Sequence, residues 1–137
     1  MARDNSGAIV GTSTAIPVHI ERLGFRCFFY RSYVRPDYRI RGVRSTGVVW
    51  EILRASHQHL NERFRHGHDS DVLGLYLEIE NPSIAKDHSE LMWHGEGMNV
   101  VYIGSTSDGH PIRTWYFDKA RAPQNDRTRS RLAQRSV

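Results

Sequence analysis

The spacing of apolar side chains divides the chain into segments of two periods. Residues 8–20 are rich in β-branched side chains (Ile9, Val10, Thr12, Thr14, Ile16, Val18, Ile20), a composition that suits a pleated strand. Pro17 interrupts them and predicts a bulge or an edge position. Residues 21–24 read as a turn, and 25–34 form the next strand, with Phe28, Phe29, Tyr30 and Tyr33 supplying bulk. The two strands should pair antiparallel. The period then changes. Val49, Ile52, Leu53, Ser56, Leu60 and Phe64 recur at about 3.6 residues, with Glu51, Arg54, Gln58 and Glu62 on the other side. This predicts a helix that opens around Ser45 and Thr46 and closes at Gly67. Residues 72–79 are a dense buried-strand pattern, stopped by Asn81 and Pro82. A strand, a crossover helix and a second strand make a right-handed unit with parallel strands. Residues 83–93 predict a shorter helix bearing Ile84, His88, Leu91 and Met92. Strands at 99–104 and 112–117 flank a hairpin signal at 107–110. The order is β-β-α-β-α-β-β, an α+β fold with a mixed β-sheet flanked by helices.

The connection between the second strand and the first helix carries the candidate chemistry. It holds Arg35, Arg39, Arg41 and Arg44, with one proline (Pro36) and glycines at 42 and 47. The first N–H groups of a helix lack intrahelical partners and sit at the positive end of its dipole, so a basic loop feeding them suits an anion. The plain alternative is a solvated basic connection.

The spacing narrows this. Val34, Pro36, Arg39 and Gly42 fall in the order V-x-P-x-x-R-x-x-G, which resembles the acyl-CoA-binding motif of the GNAT N-acetyltransferase superfamily. Four of five comparable positions match, and Arg44 stands where that family has a small residue. The resemblance covers residues 2–117, with residues 2–11 similar to the end of that fold's second strand, its turn and the start of its third. It implies a GNAT-like domain at 1–118 whose first third is absent, leaving a sheet edge for a homodimer or other partner to cover. It also implies acetyl-CoA as co-substrate and an amine as acceptor. The pyrophosphate would be wrapped by Arg39, Ile40, Arg41, Gly42, Val43, Arg44, Ser45 and Thr46. Tyr33 or Val34 would supply the amide that polarises the thioester, and Asn81 would bond the pantetheine arm. Glu80 and Glu78 are the base candidates by family position, with solvated glutamates as the plain alternative. Trp93 falls where many members carry a catalytic tyrosine; an indole does not donate that proton, so Trp93 should pack. A catalytically inactive GNAT-like CoA-binding or partner-binding module is the alternative function.

Composition changes this picture little. A chain of 137 residues with 39% hydrophobic and 25% charged residues is one soluble domain's worth. The formal charge is +4. From Asp118 onward, six Lys/Arg face Asp118 and Asp126, so the surplus of that segment equals that of the whole chain. Residues 119–137 therefore read as a basic, disordered tail. Its arginines interleave poorly with aromatics, so nucleic acid is not the expected partner. No apolar run approaches membrane-spanning length, and a lone Cys27, read as a small core residue, fits a reducing cytoplasm. The eight histidines form no His-Glu-x-x-His pattern, so no metal site is expected.

Overall fold

The structure is a computed structural model that describes residues 1–38 and 47–123. The two long strand patterns form β2 (Ile9–Ile20) and β3 (Phe25–Val34), paired antiparallel from Ile20↔Phe25 to Gly11↔Val34. A two-residue strand, β1 (Ala2–Arg3), folds back on the start of β2 through a turn in which Asp4 Oδ1 accepts from the N–H of Ser6 and Ala8. Helix α1 (Val48–Arg65) crosses over to β4 (Val72–Glu78), which lies parallel to β3 as the crossover predicts. After α2 (Pro82–Asp87) come β5 (Met92–Trp93), β6 (Val100–Ser105) and β7 (Pro111–Tyr116). Seven strands form one mixed sheet in the order β1-β2-β3-β4-β7-β6-β5.

The α+β class and the order of the long elements agree with the sequence pattern. Two features differ. The short strands β1 and β5 extend the sheet by one strand at each edge. The predicted second helix over 83–93 stops at Asp87, because the His88 carbonyl accepts from Trp93 Nε1 (2.9 Å) and Arg113 Nη2 (3.2 Å). Met92 and Trp93 then pair with β6 instead.

Alternation along the strands sorts side chains between two faces. Phe28, Tyr30, Leu75, Leu77, Trp115 and Phe117 share the main core with Trp50 and Leu53 of α1. Gly11 lies under the start of that helix: a Cβ there would meet Ile52 Cδ1 at 2.5 Å, so the end of that side chain would have to shift to admit one. The buried face of α1 differs from the expected stripe. Trp50, His57 and Asn61 are buried with Ile52 and Leu53, whereas Val49, Leu60 and Phe64 are only partly covered. The expected stripe leaves out Trp50, and the two polar residues are buried where they bond the end of β7 and Asp118 beyond it. His57 stacks on Trp115 (centroids 3.7 Å apart, planes at 8°) and its Nε2–H donates to the Tyr116 carbonyl at 3.2 Å. Asn61 exchanges two hydrogen bonds with Asp118, one to its N–H (2.9 Å) and one to its carboxylate (3.1 Å).

The opposite face carries no helix among the described residues. The β2–β3 hairpin covers part of it by folding its tip back over the sheet. Leu23 packs against the cluster formed by Ile20, Cys27, Tyr76 and Ile112, and Arg22 reaches β6 to donate to the Ser105 carbonyl at 3.2 Å. Gly104 has φ 135°, a backbone conformation that side chains rarely adopt, which explains glycine there, and the Arg22 guanidinium lies over it. Cys27 is fully buried in this layer, and burial pushes its thiol up to about 11, so it is a packed core residue and not a thiolate nucleophile. The rest of the face is open: Ile16 and Tyr33 remain 61% and 56% exposed.

The edge position predicted from Pro17 is observed, because β1 pairs only with the start of β2. Ile9 and Gly11 turn their backbone groups outward to β1, so by alternation Ser13, Ala15, Pro17 and His19 face outward too. Proline, lacking an N–H, costs the β2–β3 ladder nothing at such a position. Ala120 packs against the core and its N–H donates to the Phe117 carbonyl, so the ordered domain runs past residue 118. The remainder of the basic tail, 124–137, lies outside the described residues. Among the described residues no helix is long and apolar enough to cross a membrane.

Burial lowers the pKa of His57, an effect that its bond to Tyr116 and the Asp118 charge oppose. The unfolded chain therefore binds this proton more readily than the folded one. Stability should be full above the ordinary histidine value of about 6.5 and fall as the pH drops from there through the depressed folded value. Thermal melts from pH 7.5 to 5.5 should show that loss, and His57→Phe, which keeps an aromatic ring against Trp115, should flatten it.

Candidate functional site

The parallel strands β3 and β4 run side by side from Arg26↔Val72 to Tyr30↔Leu77 and then part. Beyond that point β3 stays with β2, through Arg31↔Thr14 to Val34↔Gly11. The end of β4 stays with β7, through Glu78↔Ile112 and the Ile79 N–H donating to the Pro111 carbonyl at 2.8 Å. Each strand follows its antiparallel neighbour, which leaves an opening in the ladder, a break in pairing between their carboxyl ends. Such ends are where open α/β sheets place ligands.

The first turn of α1 stands over this opening on the core face. Trp50 is fixed there by edge-on contacts with Trp93 (5.0 Å) and His88 (5.2 Å). Trp93 is 1% exposed and packs, as its sequence position predicts. The buried Arg113 lies 4.0 Å from the Trp93 ring and donates to the carbonyls of His88 and Glu90, the latter at 2.6 Å. A guanidinium can bind two carbonyls and an aromatic face at once, and here it locks the exit of α2 beneath the start of α1.

The loop that joins β3 to α1 is anchored at both ends. At its start the Arg35 N–H donates to the Val10 carbonyl at 2.8 Å, and a 3-10 turn (Pro36–Tyr38) follows. Arg35 pairs with Asp37 at 2.8 Å and lies over the Tyr38 ring, while Tyr38 donates to Asp4 Oδ2 at 3.1 Å. At its end Gly47 is the buried N-cap residue of α1, with no side-chain cap bond. Arg39, Ile40, Arg41, Gly42, Val43, Arg44, Ser45 and Thr46 lie outside the described residues.

The other predicted site residues flank the opening. Val34 is buried on the helix face and Tyr33 is exposed on the open face. Because the Arg35 N–H bonds β2, alternation turns the Val34 N–H to the β4 side and the Tyr33 N–H away from it. Glu78 lies on the open face, where its carboxylate accepts from the hydroxyl of buried Tyr76 at 3.3 Å. Burial and the Glu78 charge both raise the Tyr76 pKa. Glu80 faces Arg31 across the opening at 3.5 Å, and the Arg31 guanidinium lies 5.1 Å from the Phe29 ring. Asn81 begins α2, its Oδ1 accepting from Ser83 N–H at 2.9 Å and, more weakly, from Ile84 N–H at 3.4 Å. That leaves the Nδ2 hydrogens for a ligand.

Sequence reasoning missed Arg31, Tyr76, Trp50 and Arg113. Arg31 shares strand parity with Phe29 and Tyr33, a signal that could have placed it on their face. Arg113 gave none, since a lone arginine in a strand pattern reads as a solvated residue. A separate groove of about 350 Å³, lined by Met1 and Ala2 with Glu51, Ile52, Ala55, Ser56 and His59 of α1, shares no residue with the opening. Among the described residues no cluster of three or more His, Cys, Asp or Glu is placed to hold a metal ion.

Asn81 can be tested for both of its roles. Asn81→Ala should lower stability by about 1 kcal/mol through loss of the cap, read from urea unfolding. Asn81→Asp keeps an oxygen acceptor at the cap and should hold stability near the starting value while removing the amide donor.

Comparison of the chain with protein-family models, with curated proteins and with solved structures returns no match.

Proposed function

We propose that the chain is a cytoplasmic GNAT-like N-acetyltransferase that transfers an acetyl group from acetyl-CoA to an amine. The observation that carries this reading is the end of the β3–β4 ladder at Tyr30↔Leu77, with the start of α1 packed near Gly11, the partner of Val34 at the end of β3. The loop with the V-x-P-x-x-R-x-x-G spacing joins those elements. By the resemblance, a thioester lying between the strands would meet a backbone amide at Tyr33 or Val34, a donor suited to a developing oxyanion. The phosphates would meet the basic loop and the N-terminal end of α1. Glu78, steadied by Tyr76, and Glu80 stand on the face from which an amine would approach, and either carboxylate could take the ammonium proton. A second copy or another partner would lie along the open edge of β2.

A second reading has its own support. Trp93 is buried and its N–H is held by the His88 carbonyl, so it supplies no acid for a departing thiolate. This favours a catalytically inactive CoA-binding or partner-binding module.

Calorimetry with acetyl-CoA tests what both readings share. Saturable binding is expected, and no heat at about 500 µM, the range of a weak specific complex, would overturn both. Gly42→Asp should abolish binding by placing a carboxylate among the phosphates, and unchanged affinity would put the ligand elsewhere. Release of free thiol across a panel of amines then separates enzyme from binding module.

A further inference from the structure

We propose that the acceptor is a free α-amino acid with an apolar or aromatic side chain, its carboxylate bound by Arg31 and its amino group by Glu78. The inference rests on the acetyltransferase reading and names the substrate class of that same opening.

Among the described residues, Arg31, Glu78 and Glu80 lie on the open face beside the opening, with Arg22 near Tyr76 on the same face. Arg31 projects from β3, and Glu78 and Glu80 lie at the end of β4 and just after it. Arg31 and Glu80 bridge the opening at 3.5 Å with their side chains 63% and 56% exposed. An ion pair so exposed contributes only about 0–1 kcal/mol, so a ligand can break it at little cost. The Arg31 guanidinium also lies over the Phe29 ring, which limits the positions its head explores. An incoming carboxylate can therefore replace Glu80 on a fork already aimed across the opening, and two parallel N–H···O bonds are better than the single long contact they displace.

Charge then selects the rest of the molecule. With Glu80 released, Glu78 and Glu80 together face the ammonium, while Glu78 keeps its bond from Tyr76. A zwitterion with adjacent charges satisfies both signs. A simple amine leaves Arg31 and Glu80 paired across the opening, and a polycationic amine brings positive charge against Arg31. Tyr33, 56% exposed on the same face as Arg31, offers flat apolar surface to the acceptor's side chain.

The chemical step balances with an acetyl thioester of coenzyme A as co-reactant. The α-ammonium gives one proton to Glu78, and the freed lone pair forms a bond to the thioester carbonyl carbon. The C–S bond breaks with its electron pair passing to sulfur. A second nitrogen proton ends on the departing thiolate, and Glu78 returns its proton to water.

The test uses the full chain, acetyl-CoA and matched pairs of acceptors: phenylalanine against phenethylamine, and leucine against 3-methylbutylamine. Thiol release should show kcat/KM higher for each amino acid by at least about tenfold, the scale of a lost charge contact at an exposed site. Arg31→Gln should bring that ratio close to one, and Arg31→Lys should keep part of it. Because residue 31 is exposed, melting curves of both variants should match that of the unaltered chain. A ratio near one in the unaltered chain overturns the acceptor assignment and leaves the transferase reading standing. Acetyl-CoA binding without turnover of any of the four also overturns the assignment. Absence of acetyl-CoA binding removes both together.

Discussion

Two parallel strands claimed by different neighbours set the geometry of everything at the carboxyl end of this sheet. A parallel ladder of four pairs joins β3 to β4, and each strand is also held by a longer antiparallel partner. The parallel ladder stops at Tyr30↔Leu77, while β3 stays paired with β2 to Val34 and β4 with β7 to Glu78. The two sides of the opening are chemically unlike. The core side carries Trp50, the buried Val34 and the helix start, whereas the open side carries Arg31, Glu78 and Glu80. A ligand seated there would pass from an apolar, dipole-rich side to a charged, wet one.

The indoles and the buried guanidinium hold that arrangement. Trp50, Trp93 and His88 meet edge to face, and Arg113 ties the carbonyls after α2 to the same cluster. A desolvated guanidinium is costly unless its donors are met, which makes this cluster intolerant of partial change. The exit of α2 and the start of α1 are therefore fixed to each other.

The long elements were legible in the sequence because each presents a clean period over ten residues or more, or lies between strong turn signals such as Gly24 and Gly109. The two-residue strands β1 and β5 were not, since two residues carry no period. The early stop of α2 was hidden as well: Ser83 to Met92 has a workable apolar face, and what ends the helix is the capture of the His88 carbonyl by residues 5 and 25 positions away. The buried face of α1 was misdrawn where polar groups go inside, because His57 and Asn61 are satisfied by β7 and its end, which local sequence does not show. Around the site, the acidic pair and Asn81 could be located from strand endings. The Arg31–Glu80 contact required knowing that β3 and β4 are neighbours in space.

Pro17 has a consequence for how the molecule behaves in company. A long bare edge is a template on which other chains can add strands, and that is a common route to aggregation. Between the end of β1 and Pro17 the outward-facing backbone of β2 offers only Ser13 and Ala15 as complete donor–acceptor positions. An adding strand would lose a bond after two residues and have to resume at His19. The imino acid thus acts as a break in the template. It protects the chain from polymerising along its own edge while leaving the neighbouring apolar face, with Ile16, open to side-chain docking.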